Sequence, residues 1–169
     1  MSKMLMRRLS LQALLLIGCG GGTTTGVAAD AQLSDAAGDA MPLPPPDLVR
    51  WLVGNPGDAI VESRRGLILM GGGTDVDAAF EWQRDRMSGG DVVVLRATGA
   101  DGYNDYLFSD IGGVDSVETL LVPTRELADA PYVRWALEHA EAIFIAGGDQ
   151  SVYLAAWKDG PVEDALEAA

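Results

Sequence analysis

The chain has 169 residues, of which 25 are Asp or Glu and 12 are Lys or Arg, so its formal net charge is −13 at pH 7. Such an acidic chain is not expected to bind nucleic acid, because that requires Lys and Arg to displace the counterions of the phosphates. With Cys19 as its one cysteine, the chain offers no internal disulfide and no cysteine-based zinc site, and we expect no metal.

The first residues predict an export signal. Basic residues within positions 3–8 precede an apolar run over residues 9–17, which ends at Gly18 and Cys19. This order is typical of a signal peptide, and the run is shorter than the roughly 20 residues of a membrane-spanning helix. The sequence LIGC at residues 16–19 resembles a bacterial lipobox, in which the cysteine becomes lipidated. We therefore predict a signal peptide over residues 1–18 and a lipid anchor on Cys19 as the only membrane attachment. The alternative is an ordinary secretory signal that is cut further along.

Residues 19–46 are rich in Gly, Thr, Ala, Asp and Pro and end in a proline-rich stretch. Such a composition cannot bury enough apolar surface to offset the entropy of ordering the chain. We therefore predict a flexible tether over residues 19–46. The folded domain is expected over residues 47–169.

Four short apolar runs predict strands, at residues 66–70 (GLILM), 91–95 (DVVVL), 117–122 (VETLLV) and 142–146 (AIFIA). Helical patterns separate or follow them, at residues 75–87, 131–140, 151–157 and 161–168. Thr74 or Asp75 is expected to cap the first of these helices. Strands that alternate with helices form parallel sheets with right-handed connections. We therefore predict an α/β fold with a doubly wound parallel sheet of the flavodoxin-like type.

The last predicted helix, residues 161–168, has no strand after it in this chain. A helix without a following strand would leave one edge of such a sheet open. We therefore expect that the chain is the amino-terminal part of a longer protein, with the domain incomplete at its carboxyl end.

Glycines follow two of the predicted strands, in GGGT at residues 71–74 and in GGD at residues 147–149. Glycine allows the backbone to approach a ligand closely, and amides at a helix start favour negative charge. Such amides can stabilise the oxyanion of acyl transfer or bind a phosphate. The dinucleotide fingerprint fails, because Val76 stands where its third glycine is needed. Tight turns without a ligand are the remaining alternative.

Three segments together carry a resemblance to a known family. They are the GGG turn, the loop RATGADGYNDY at residues 96–106, and AIFIAGGDQ at residues 142–150. The chain from residue 66 to 169 resembles the cyanophycinase-like branch of serine peptidases, which includes aspartyl dipeptidase and has the class I glutamine amidotransferase-like fold.

The resemblance implies a role for each matching residue. Gln150 would bind the substrate and Asp149 would shape its turn, while the amides of Gly72 and Gly73 would stabilise the oxyanion. The loop over residues 98–106 would line the same rim. The implied substrate is a peptide or peptide-like polymer with an amide bond beside an acidic residue, such as a β-aspartyl-arginine linkage. No cofactor is implied.

The family's nucleophile is a serine in a Gly-Thr-Ser-Ala-Gly elbow on the strand after the GGDQ helix, and this chain ends before that strand. None of its serines after residue 46 lies in a Gly-x-Ser-x-Gly elbow. Ser151 is expected to cap a helix, and His139 to lie away from the carboxyl ends of the strands. We therefore expect no hydrolysis by this chain alone. The alternatives are a non-catalytic ligand-binding domain with the same pocket and a nucleotide-binding domain.

Overall fold

The computed structural model describes residues 40–169. The predicted signal peptide, Cys19 and most of the predicted tether lie outside the described residues. Residues 40–46, at the end of that tether, form no helix or strand. Among residues 40–169, no helix combines the length and the apolar character that crossing a membrane requires.

Four strands form one mixed sheet in the order β1-β3-β2-β4. The strands are β1 (Val49–Gly54), β2 (Asp91–Arg96), β3 (Ser116–Leu121) and β4 (Ala142–Ile145). The helices are α1 (Asp77–Arg84), α2 (Arg125–Ala128), α3 (Pro131–His139), α4 (Gln150–Trp157) and α5 (Pro161–Ala168), with a π-helical turn at Tyr106–Ile111. The predicted α/β class is confirmed.

The predicted first strand, residues 66–70, is not a strand. Its side chains Leu67 and Leu69 are 81% and 87% exposed. Both edges of β2 are occupied, because β3 pairs with one edge and β4 with the other, each in parallel. No edge of β2 is therefore left for residues 66–70.

The prediction of a wholly parallel sheet is also wrong. A strand that the sequence analysis missed, β1, pairs with β3 in an antiparallel register that sets Val49 opposite Leu121. The sequence VRWLVG is rich in the β-branched and aromatic residues that favour strands. The sheet therefore has three parallel strands and one antiparallel edge strand.

The sheet is buried on both faces, and β2 contributes to both. Val93 and Leu95 pack in a core with helices α3, α4 and α5, whereas Val92 and Val94 pack in a second core with Phe80 of α1. Because successive side chains of a strand point to opposite faces, the continuous run VVVL fits a strand that is covered on both sides. Full burial of one such side chain contributes about 1.5–3 kcal/mol.

Helix α1 lies beside the outer edge of the sheet at β4. In the parallel ladder, the Ala146 amide donates to the Leu95 carbonyl, so the alternate residues Ile143 and Ile145 direct their backbone groups to the outer edge. The side-chain amide of Gln83 in α1 donates to the Ile143 carbonyl over 3.4 Å. This contact satisfies one of the outward backbone acceptors of β4.

Candidate functional site

The carboxyl ends of β2 and β4 lie side by side, since Leu95 pairs with Ile145 in the parallel register. The loop after β2 and the loop after β4 therefore leave the sheet at the same end, the carboxyl end of the parallel strands. In open α/β sheets ligands bind at this end. We call residues 71–74 the glycine turn and residues 147–150 the GGDQ loop.

The glycine turn precedes α1, and Gly72 and Gly73 are exposed there. Gly73 has a φ of +135°, which favours glycine. A Cβ added at Gly72 or Gly73 would meet no atom within 4 Å, so the backbone of this turn is open to an approaching ligand. A depression of about 360 Å³ lies beside it, lined by residues that include Met70, Gly71 and Val76.

Two phenol hydroxyls tie the region of the glycine turn to the loop after β2. The Tyr103 hydroxyl donates to the carboxylate of Asp75 over 3.1–3.2 Å, and the Tyr106 hydroxyl donates to Asp77 over 2.7 Å. Burial is the main cause that raises the pKa of both phenols, and the hydrogen bonds to the carboxylates add to it. Both hydroxyls therefore stay protonated donors near neutral pH.

The prediction that Thr74 or Asp75 caps the first helix is wrong. Val76 holds the N-cap position of α1, with no side-chain hydrogen bond to the helix. The Asp75 carboxylate accepts the Tyr103 hydroxyl instead of a helix amide.

Aromatic rings pack beneath these hydroxyls. Tyr103 lies 4.8 Å from Phe144 of β4, measured between ring centroids, and Phe80 of α1 lies 5.1 Å from Phe144 and 5.4 Å from Tyr106. Most of these pairs meet edge to face, an arrangement that aromatic rings prefer. The cluster joins α1, the loop after β2 and β4 at one place.

The GGDQ loop leads directly into α4. Asp149 is the N-cap of α4, and its carboxylate accepts from the Ser151 amide over 2.8 Å and from the Ser151 hydroxyl over 2.7 Å. These hydrogen bonds lower the pKa of Asp149. A carboxylate with a lowered pKa is a weak base, so this pair suits a helix cap better than an activated nucleophile. The prediction that Ser151 caps this helix is therefore wrong, because the cap is Asp149 and Ser151 is its donor.

Gln150 is exposed as the first residue of α4. Its side chain makes no hydrogen bond to another residue of the described range 40–169. The amide group is therefore available to a ligand at this end of the sheet.

Tyr153 of α4 fixes the backbone before Asp149. Its hydroxyl donates to the Ala146 carbonyl over 2.7 Å. A Cβ at Gly148 would lie 2.2 Å from the hydroxyl oxygen of Tyr153. Tyr153 also stacks on Trp157 with 4.4 Å between ring centroids. Glycine is thus required at position 148 so that Tyr153 can reach the loop.

Arg96, which the sequence analysis did not single out, is the last residue of β2. It lies near Tyr103, which contacts the region of the glycine turn, and near Tyr153, which contacts the GGDQ loop. Its Nε donates to the Thr98 carbonyl over 3.1 Å, and its guanidinium carbon lies 5.8 Å from the centroid of the Tyr103 ring. Its charge opposes the rise in pKa that burial causes at both Tyr103 and Tyr153. An arginine at the carboxyl end of an otherwise apolar strand was the signal in the sequence.

Asn104 does not line the rim, although it lies in the loop predicted to do so. It is buried, its amide nitrogen donates to the Trp51 carbonyl over 3.0 Å, and its oxygen accepts from the Thr119 hydroxyl over 2.6 Å. Asn104 therefore fastens the loop after β2 to β1 and β3.

A second polar cluster lies under α3, away from this end of the sheet. Glu118 of β3 is 8% exposed, accepts from Arg50, and accepts from the Tyr132 hydroxyl over 2.9 and 3.0 Å. Every member has a partner, as a stable buried ion pair requires. His139 also lies away from the two loops, where it stacks on Trp135 and lines a small cavity with Asp91, the first residue of β2.

Within residues 40–169 no group of three His, Cys, Asp or Glu side chains is placed to hold a metal ion. Comparison with protein-family models, with curated proteins and with solved structures finds no match to this chain. The roles of Gly72, Gly73, Asp149 and Gln150 that the family resemblance implies stay predictions.

Proposed function

We propose that this chain supplies the substrate-binding and oxyanion-stabilising part of a cyanophycinase-like serine hydrolase. The proposed fold is of the flavodoxin-like, class I glutamine amidotransferase-like type. Its substrate would be a peptide or peptide-like polymer with an amide bond beside an acidic residue. What supports the proposal is one relationship, namely that Tyr103 contacts both the region of the glycine turn, through Asp75, and β4, through Phe144.

The roles in this proposal follow from the chemistry of each group. The open amides of Gly72 and Gly73 would donate to the carbonyl oxygen of the substrate as it gains negative charge. The Gln150 side chain, which has both a donor and an acceptor, would bind the amide or acidic group next to it. The depression beside the glycine turn would hold the adjoining part of the substrate.

We further propose that residues 40–169 bind this substrate without cleaving it. Ser151 donates to a carboxylate of lowered pKa. Ser116 is buried and donates to Asp91 over 2.6 Å at the opposite, amino-terminal end of the strands. Ser151 is therefore not beside an effective base, and Ser116 lies at the wrong end of the strands to act on a substrate at the two loops.

The test is calorimetric titration of the full chain with β-aspartyl-arginine, with product analysis in parallel. Gln150→Ala is expected to weaken binding about 2- to 10-fold, because one hydrogen bond is lost. Leu154→Ala, an exposed position one turn further along α4, is the matched control and should bind as the unaltered chain does. Equal affinity of the Gln150→Ala variant would contradict the role of Gln150, and measurable turnover would contradict binding without cleavage.

A non-catalytic ligand-binding domain is the second candidate, and the hydrogen bonds that Ser151 donates to the N-cap residue Asp149 favour it. The two candidates differ in any chain that carries sequence beyond residue 169. The hydrolase predicts a serine elbow and turnover there, and the binding domain predicts affinity without turnover.

We also propose that the protein is exported and anchored through a lipid on Cys19. The support is the sequence pattern of residues 1–19. Labelled palmitate is expected to enter the protein in a bacterial host and to be lost in Cys19→Ser. Label that persists in Cys19→Ser would exclude this anchor.

A further inference from the structure

We propose that Arg96 is a preorganised binding residue for a carboxylate of the substrate. The inference rests on the proposed function, since it concerns the same end of the sheet and adds a specificity-determining residue to it. The observation that supports it is that the Arg96 guanidinium is held on one side by the Thr98 carbonyl and leaves its outer donors unused.

The Arg96 side chain is fixed on one side only. Its Nε donates to the Thr98 carbonyl over 3.1 Å. Its two terminal nitrogens donate to no acceptor of the described residues, and it forms no ion pair with any carboxylate of residues 40–169. Arginine has five N–H donors in a planar fork that matches the two oxygens of a carboxylate. The fork of Arg96 therefore has its outer donors unused.

The backbone makes room for this position of the guanidinium. Gly99 has a φ of +98°, and a Cβ there would lie 2.8 Å from Nη2 and 3.1 Å from Cζ of Arg96. Any other residue at position 99 would both strain the backbone and push the guanidinium away. Holding the side chain in advance reduces the entropy that binding would otherwise cost.

The groups around Arg96 leave its charge available. Burial is the main cause that raises the pKa of Tyr103 and Tyr153, so both phenols are neutral at pH 7. The acids of the two loops do not pair with Arg96, since Asp75 accepts the Tyr103 hydroxyl and Asp149 accepts the Ser151 hydroxyl. In a chain of net charge −13, Arg96 is thus a local positive site between the glycine turn and the GGDQ loop.

The position of Arg96 matches the proposed chemistry. Arg96 ends β2 beside the carboxyl end of β4, and its charge acts on Tyr103, which contacts the region of the glycine turn, and on Tyr153, which contacts the GGDQ loop. An acidic residue beside the bound amide would then place its carboxylate against the fork. Arg96 would select such an amide over one whose neighbour has no charge, because charge-assisted hydrogen bonds are about twice as strong as neutral ones.

The experiment compares two ligands that differ by this carboxylate alone. They are β-aspartyl-arginine and β-alanyl-arginine, both amidated at the arginine carboxyl group, titrated into the full chain by calorimetry. We expect the β-aspartyl compound to bind about tenfold more tightly or better. In Arg96→Gln the two affinities should become equal, and Arg96→Lys should recover only part of the difference because it lacks the fork.

Arg134→Gln is the matched control, since it removes the same charge from an exposed position on α3. It should keep the full difference between the ligands. The Nε–Hε resonance of Arg96 should also move on addition of the β-aspartyl compound and stay in place with the β-alanyl compound. The ligand comparison on the unaltered chain stands even if a variant fails to fold.

Each other outcome overturns the inference in a recognisable way. If both ligands bind equally to the unaltered chain, Arg96 does not bind the carboxylate, and the proposed site still binds an amide but does not select an acidic neighbour. If the difference in affinity between the two ligands persists in Arg96→Gln, another residue binds the carboxylate. If neither ligand binds, the proposed function fails and the inference fails with it.

Discussion

The hydroxyl of Tyr103 donates to the carboxylate of Asp75, two residues after the last glycine of the glycine turn. The Tyr103 ring meanwhile packs against Phe144 of β4. This one side chain therefore links the end of the sheet to the segment that follows Gly72 and Gly73.

Tyr103→Phe is therefore expected to loosen the glycine turn while the aromatic cluster keeps its ring. We expect lower NMR order parameters for the amides of the turn, and a free energy of unfolding lowered by about 1 kcal/mol or less, because the bond is partly solvated. Asp75→Asn should act in the same direction. The order parameter of Gly148, beside Tyr153, should not change, and an equal fall there would mean a general loss of order.

Tyr132→Phe is expected to destabilise the domain more than Tyr103→Phe. It removes the buried hydroxyl that donates to both carboxylate oxygens of Glu118. A hydrogen bond to a buried charged group contributes roughly 1.5–3 kcal/mol to stability. Urea unfolding of both variants gives the comparison. A loss for Tyr132→Phe no larger than for Tyr103→Phe would mean that water reaches Glu118.

Glu141 predicts a pH dependence of stability. Burial is the main cause that raises its pKa above the ordinary value of 4.5, so folding disfavours its charged form. The contribution of Glu141 to stability is full below the unfolded pKa and is lost as pH rises through the folded pKa.

Glu141→Gln can keep the contact with the Asp91 amide but has no charge to bury. The variant should therefore gain stability relative to the unaltered chain on going from about pH 4 to pH 7. Urea unfolding at both pH values measures this gain. A variant that loses stability with rising pH, relative to the unaltered chain, would contradict the sign.

The exposed segment over residues 66–70 predicts tolerance to charge. Leu67→Lys and Leu69→Lys should change the free energy of unfolding by no more than about 0.5 kcal/mol, as surface substitutions do, and should reduce aggregation. Leu120→Ala, at a position with no exposure, is the contrasting control and should cost about 2–5 kcal/mol. A loss of that size for Leu67→Lys would mean that the segment packs as a strand after all.

The sequence predicts three of the four strands and not how they pair. The runs VVVL of β2 and AIFI of β4 are continuous and apolar, so both predict strands, although β4 lies at an edge of the sheet and its Ile145 is exposed. Residues 66–70 carry a similar pattern, but a pattern does not say which strand edge is free to pair with them. The edge strand β1 was missed because Arg50 interrupts its apolar run, and only the fold reveals that Glu118 pairs with this charge.

The candidate site was predicted in part for a similar reason. Glycines after an apolar run can be recognised from local sequence, so the sequence predicts both loops. Arg96 and Tyr153 contact carbonyls that are near them in the chain, those of Thr98 and Ala146, but the residue pattern does not show which way a side chain turns. The burial of Asn104 depends on Trp51, which is far from it in the chain, and local patterns carry no information on such a contact.

The hydrogen bond from Gln83 to the Ile143 carbonyl limits how the sheet can grow. A fifth strand added beside β4 would have to take over that acceptor and thus displace Gln83. Gln83 thereby protects one backbone acceptor of an edge strand, and a protected edge pairs less readily with the strand of a second molecule.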